Sequence, residues 1–325
     1  MRINLVTLCG QRVPTLRHML RHYRDLVDDI FLIVHSIGEN DPIRERVRAV
    51  ADELGCQIHR SVVADRFDPA YATQLYNEAM QQRPDDWWIV ADPDELHLYF
   101  KDLREILREC EANGWTFVGG HFLDRFGPGG TLPTLDDSDI WHQFPVAGVA
   151  RSILTSGGRG GISGAWAPSW KVCVAKGTVR LGAGQHCVLT EGNVSGYPIP
   201  LGLVQVHHFK WDSTVLSRHL DTLETIKRAE RPGESDSTRS YQTMYDYLVA
   251  HDGRVDISDP RCLFAECPEP VFSAYPYWSE IVRHRPPFGL ELDPTSWKSM
   301  TAFHLWKRPV LGQLFWWMCR FAGQT

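Results

Sequence analysis

Two carboxylates one residue apart, Asp92 and Asp94, directly follow the apolar run Trp87-Trp88-Ile89-Val90-Ala91. Pro93 between them has no N–H, so it ends a strand ladder and holds both acids in a fixed turn. Carboxylates this close repel unless a cation or hydrogen-bond donors compensate. Magnesium and manganese take oxygen ligands and commonly combine one or two carboxylates with substrate phosphates. The pair therefore suits Mn2+ or Mg2+ bridging to a diphosphate. The structural alternative is an acidic helix start favoured by the helix dipole.

The elements that must position these acids are legible in the apolar periodicity. Leu5 to Leu8 reads as a first strand, and Leu16, Met19, Leu20, Tyr23 and Leu26 recur at helical spacing after Pro14. Ile30 to Val34 is a continuous apolar run, which suits a strand buried on both faces. Asp41-Pro42 opens a second helix through Ile43, Val47, Val50, Ala51 and Leu54, and Gly55 closes it. Cys56–His59 reads as a third strand, 70–82 as a third helix and 87–91 as a fourth strand. A helix through Leu103 and Cys110 follows, then a strand over 115–118. This alternation predicts an α/β fold whose mostly parallel sheet is flanked by helices. Ligands bind beyond the carboxyl ends of such strands, where Thr7, Cys9, His35, Ser36, Asp65, Asp92 and Asp94 all fall.

Residues 127–170 are rich in Gly, Pro, Ser and Asp, and Gly157-Gly158-Arg159-Gly160-Gly161 has the freedom of a lid or of a surface loop. Two β segments around Gly182-Ala183-Gly184, a strand over 203–210 and a helix through Leu216 and Ile226 follow. Residues 231–238 read as a polar linker. The tail ends in the aromatic run Phe315-Trp316-Trp317, which suits packing or at most peripheral membrane contact. The chain divides into residues 1–126, 127–230 and a helical or irregular extension over 231–325.

Composition narrows the function classes. At 325 residues with 43% hydrophobic and 23% charged side chains, disorder and disulfide mini-proteins are excluded. A net charge of −6 without a basic stripe argues against a nucleic-acid partner. Eight scattered cysteines form no Cys-x-x-Cys pair, which argues against a thiolate zinc site and suits a reduced, cytoplasmic chain.

Asn77-Glu78-Ala79 followed by Asp86-Trp87-Trp88-Ile89-Val90-Ala91-Asp92-Pro93-Asp94-Glu95 resembles the nucleotide-sugar-dependent glycosyltransferases of the GT-A fold, most of all the family 2 type with an Asp-x-Asp-Glu motif. Asp124-Arg125, Gln143-Phe144-Pro145, Lys171-Val172, Gly184-Gln185-His186 and Val206-His207-His208-Phe209-Lys210-Trp211 extend the resemblance over about residues 3–225. The loop Cys9-Gly10-Gln11-Arg12 departs from it, because many relatives carry an acidic residue there.

The resemblance implies a GT-A-like fold with a mixed β region on the acceptor side. It implies a nucleotide-sugar donor, a UDP-sugar by family habit. Asp94 would ligate the metal, Asp92 would contact the ribose or share the metal, and Thr7 and Asp65 would hold the base. A late histidine, His207 or His208, would complete the metal or diphosphate site. Neighbours on a strand point to opposite faces, so one of the two faces the site; His208 is favoured, and Lys210 shares its parity toward the phosphates.

An inverting transfer also needs a base for the acceptor hydroxyl. Asp124 is the candidate, with Asp136, Asp137 and Glu191 behind it. Arg125 binds acceptor or pairs with Asp124, and His186 faces donor or acceptor or is a loop histidine. Trp141, Trp166 and Trp170 suit a sugar platform or the core. The acceptor, whether sugar, lipid, peptide or natural product, is not written in the sequence. The alternatives are a nucleotidyltransferase and a non-catalytic nucleotide-sugar-binding module of the same fold.

Overall fold

The computed structural model describes residues 1–10, 13–150, 170–189, 194–229 and 235–284. Its first half winds β1 (Ile3–Cys9), α1 (Val13–Tyr23), β2 (Asp29–Ile37), α2 (Ile43–Leu54), β3 (Ile58–Ala64), α3 (Pro69–Gln81) and β4 (Trp87–Val90). Strand β1 pairs parallel with both β2 and β4, and β2 pairs parallel with β3. Side-chain alternation along β1 feeds two cores. Ile3, Leu5 and Cys9 pack with Leu16, Met19 and Tyr23 of α1 and Val47 and Ala51 of α2. Val6 and Leu8 pack with Leu75, Tyr76, Ala79 and Met80 of α3. Helices thus cover both faces, as continuous apolar strands require.

Local chemistry sets the helix ends. Asp68 caps α3 by accepting from the Ala70 and Tyr71 N–H groups, and Pro69 occupies the first turn. Gly55 ends α2 at φ 65°, in the left-handed region open to glycine.

The second half is mixed. It adds β5 (Glu95–Leu98), α4 (Leu103–Asn113), β6 (Phe117–Phe126), α5 (Ile140–Gln143), β7 (Val146–Gly148), β8 (Trp170–Lys176) and β9 (Val204–His208). Then come α6 (Val215–Ala229), α7 (Ser235–Ala250), β10 (Ala265–Glu266) and α8 (Trp278–His284). The ten described strands form one sheet in the order β10-β7-β6-β8-β4-β1-β2-β3, with β9 beside β6 and β5 beside β9. Strand β8 runs antiparallel between β4 and β6, while β6 and β9 are parallel. The architecture is therefore α/β with a large mixed sheet between helices, compatible with a Rossmann-like fold and less parallel than the sequence pattern predicts.

Several boundaries differ from the sequence expectation. The third strand lies at 58–64 rather than 56–59, because His59, Arg60 and Ser61 sit on the exposed edge of the sheet and carry no apolar pattern. Strand β6 runs on to Phe126, so Asp124 and Arg125 lie inside it, not after it. Strand β5 was not expected. The second β segment after Gly182 reduces to an isolated bridge between Leu181 and Val188. Within the expected linker, a helix begins at Ser235.

Beyond the sheet, Trp211, Phe126 and Val146 pack with Val215 of α6 and with Met244 and Leu248 of α7. Tyr275 and Trp278 pack with Trp170 and Leu123. No helix among the described residues is long and apolar enough to cross a membrane.

Candidate functional site

Strand β9 assembles the site, because it lies between β5 and β6. It pairs antiparallel with β5, putting His208 opposite Glu95, and parallel with β6, putting His208 beside Asp124. The Phe209 N–H donates to the Asp94 carbonyl (2.8 Å), which ties the Asp92–Asp94 turn to the end of β9. Asp94, Glu95, Asp124 and His208 are all buried.

His208 bridges two carboxylates. Its Nδ1 lies 3.3 Å from Asp124 Oδ1 and its Nε2 lies 3.2 Å from Asp94 Oδ2. Asp124 Oδ1 also accepts the Trp211 Nε1–H at 2.8 Å. A carboxylate can only accept, so Nδ1 carries a proton toward Asp124. In the neutral ring Nε2 is then a lone pair facing Asp94. Two acceptors 3.2 Å apart need something positive between them: a second ring proton or a metal cation. A carboxylate that fixes the far ring nitrogen is also the usual support of a metal-binding histidine.

The other two acids of the motif have a different counter-ion. Lys171, on β8, donates to Asp92 Oδ2 (2.9 Å) and to Glu95 Oε1 (2.7 Å). Its side chain and that of Glu95 are each only 1% exposed, whereas that of Asp92 is 41% exposed. Burial opposes the Lys171 charge, yet Asp92 and Glu95 outweigh it and hold the ammonium above its ordinary range. Asp92 Oδ1 accepts from the Tyr76 hydroxyl at 2.8 Å, and the Asp92 N–H donates to Glu95 Oε2 at 3.0 Å. Burial and then the Asp92 charge push the Tyr76 phenol well above its usual range.

His207 turns to the opposite side of β9. Its Nδ1 accepts from Arg125 Nε at 2.9 Å, so the proton sits on Nε2, 3.1 Å from Gln205 Oε1. Burial, followed by Arg125, drives His207 well below the ordinary imidazole range and keeps it neutral. Arg125 is itself enclosed. It donates to the carbonyls of Phe144 (3.1 Å) and Cys267 (2.8 Å), and its guanidinium lies 4.7 Å from the Trp141 ring centre. It is a tie between β6 and the segment after β10 rather than an ion-pair partner of Asp124.

Thr7, Cys9 and His35 are buried at the ends of β1 and β2, and exposed Asp65 follows β3 directly. Cys9 belongs to the apolar core. His35 sits edge-on to Phe67 at 5.7 Å. Lys210 lies beyond the end of β9, its ammonium 4.4 Å from the Trp211 ring centre. His186 Nδ1 is 2.6 Å from the Trp170 carbonyl; its ring is 6.0 Å from Phe122, whose ring is 5.0 Å from His208. Trp141 is packed into the core. Gly158, Arg159, Trp166, Glu191 and the 315–317 run lie outside the described residues.

Sequence reasoning missed Lys171, Glu95 and Tyr76 as members of the cluster. A lysine in the apolar strand Trp170–Lys176 was the available sign, since a buried ammonium requires carboxylates.

A divalent ion fits the Asp94–His208 pair in donor type and spacing: two ligands about 2.1 Å from an octahedral ion lie about 3 Å apart. Among the described residues no group of three or more His, Cys, Asp or Glu could hold a metal ion. The pair therefore suits an ion that keeps phosphate oxygens and water in the rest of its shell.

No protein-family model matches the chain, and no curated protein does. Among solved structures it is similar over 40% of its length to mannose-6-phosphate isomerase from Helicobacter pylori, at 14% identity and a TM-score of 0.26, covering 53% of that chain. It is similar over 43% of its length to S. aureus TarS, at 11% identity and a TM-score of 0.24, covering 27% of that chain. This chain thus spans about half of the first and about a quarter of the second. Neither likeness carries a functional argument.

Proposed function

We propose that this chain is a metal-dependent glycosyltransferase that moves a sugar from a nucleotide-sugar donor, a UDP-sugar in the simplest case, to a hydroxyl acceptor. One observation carries the proposal: at the carboxyl end of β4, a buried Asp94 oxygen and His208 Nε2 face each other at 3.2 Å. Asp94 and His208 would hold Mn2+ or Mg2+. When bound, the ion supplies positive charge against the negative charge that grows on a departing diphosphate.

The chain's own residues supply the rest. Asp124 holds the His208 Nδ1–H and thereby aims Nε2; it enters as a positioning residue, enclosed beneath His208 and Trp211. Lys171 neutralises Glu95 and anchors Asp92, which leaves Asp92 as the motif carboxylate with access to solvent and to a ribose hydroxyl. Thr7, His35 and Asp65 line the ends of three neighbouring strands and are assigned to the nucleoside.

The test is a panel of nucleotide sugars incubated with the protein, with and without Mn2+. Manganese-dependent release of a nucleoside diphosphate is the expected result. Release of pyrophosphate from a nucleoside triphosphate and a sugar phosphate would make the chain a nucleotidyltransferase. Binding without release would make it a non-catalytic module, and neither binding nor release would overturn the proposal.

A further inference from the structure

We propose that the turn Gly184-Gln185-His186 is a sugar-recognition element, in which the Gln185 side-chain oxygen accepts a hydrogen bond from a hydroxyl of the sugar carried by the donor. The inference rests on the glycosyltransferase assignment and goes further by naming the group that reads the transferred sugar.

Gln185 has φ +58°, a backbone conformation that non-glycine residues rarely adopt, and Gly184 before it has φ +69°. Two successive left-handed residues persist only where the surroundings enforce them. Here they do. The Gly184 N–H donates to Thr73 Oγ1 of α3 (3.0 Å) and the Gln185 N–H to the Gly182 carbonyl (2.9 Å). Asn77 of α3 exchanges two hydrogen bonds with the Leu181 backbone, and His186 is held against the Trp170 carbonyl. A Cβ on Gly184 would come within 2.8 Å of the His186 ring, so the turn is packed against its own histidine.

Folding does not explain the choice of glutamine. Glycine or asparagine suits that backbone better. The Gln185 side chain is almost wholly enclosed, at 3% exposure, yet its Oε1 is buried with no hydrogen-bond partner among the described residues. Such an acceptor is costly unless a ligand satisfies it.

The place of the turn selects the ligand group. Trp170, which holds His186, precedes Lys171, the partner of Asp92. On its other side His186 meets Phe122, which meets His208. The turn is thus connected to the Asp92–Lys171 pair through Trp170 and to the Asp94–His208 pair through Phe122. The nucleoside positions on β1, β2 and β3 lie across β4. An amide oxygen needs a donor, and diphosphate oxygens only accept. At this end of the site the donors a nucleotide sugar brings are sugar hydroxyls.

The experiment compares native protein, Gln185→Gly and Gln185→Asn in calorimetric titrations with Mn2+ present, using UDP, UDP-glucose, UDP-N-acetylglucosamine and GDP-mannose, alongside thermal melts. For the best sugar nucleotide, Gln185→Gly is expected to lose about tenfold in affinity, the value of one hydrogen bond to a buried acceptor. UDP affinity should stay within about twofold, and the variant should melt no lower than the native chain; Gln185→Asn should fall between. Equal loss for UDP and UDP-sugar, undiminished sugar-nucleotide binding, or a lowered melting temperature would each overturn the inference. Native protein that binds UDP with Mn2+ but gains nothing from any sugar overturns it too, while sparing the metal–diphosphate assignment. Native protein that binds none of the four ligands removes that assignment and the inference with it.

Discussion

Replacing Lys171 with methionine keeps an unbranched side chain, one heavy atom shorter, and removes its charge from a place that water does not reach. In the native chain the ammonium meets Asp92 at 2.9 Å and Glu95 at 2.6 Å. The two acids respond differently to its loss. Asp92 is 41% exposed and rehydrates, so its share is small. Glu95 is 1% exposed and, among the described residues, keeps the Asp92 N–H, so nearly all of the cost falls on it. Breaking a buried pair by removing one partner costs about 3–5 kcal/mol. With one acid able to rehydrate, the expected loss is about 3 kcal/mol in urea-denaturation free energy at pH 7. A stability of about 5–15 kcal/mol leaves such a variant folded. Lys171→Met combined with Glu95→Gln should recover at least half of the loss, because no uncompensated buried charge remains. A loss under about 1 kcal/mol, or strict additivity of the two substitutions, would refute the reasoning.

Three further outcomes follow from the same geometry. Asp124→Asn should weaken Mn2+ binding about 10–100-fold in calorimetry, because the group that orients His208 no longer carries charge. Gly120→Ala should destabilise by about 1–3 kcal/mol in thermal melts, since its Cβ would lie 2.4 Å from Cys173 Sγ and 2.8 Å from the Val204 carbonyl. Burial, with Lys171 adding to it, holds His97 well below the ordinary imidazole range. The unfolded chain therefore takes up that proton first as the pH drops, and the stability is present above about pH 6.5 and lost below it. Between pH 7 and 5.5 His97 should account for about 1 kcal/mol, and His97→Phe should flatten the pH dependence by that amount.

Much of the first half was legible because β1, β2 and β4 are largely buried on both faces and the helices have chemical ends. Ile43, Val47, Val50, Ala51 and Gly55 define α2 without any tertiary knowledge, and Trp87 to Val90 can only be an interior strand. Legibility failed where burial and polarity part company. His121, Asp124 and Arg125 are buried inside β6, yet in sequence they look like the approach to a loop. Glu95-Leu96-His97-Leu98 alternates as a strand should, but it is four residues long and begins inside the acidic motif, so only its pairing with β9 reveals it.

In the site, Asp94 and His208 were readable as metal-ligand types. Lys171 was not, because its meaning depends on β8 lying antiparallel against β4, a pairing that spans more than 80 residues of chain. The role of Asp124 shifted for a similar reason: a carboxylate at the supposed end of a strand reads as reachable by an acceptor, whereas inside β6 it lies beneath His208 and Trp211.

Crystals grown with Mn2+ and UDP, measured at the manganese absorption edge, address the central claim without needing the acceptor. An anomalous peak is expected beside Asp94 and His208, next to the UDP diphosphate. Manganese and UDP bound elsewhere, or an Asp94–His208 pair that stays closed with no peak beside it, would contradict it.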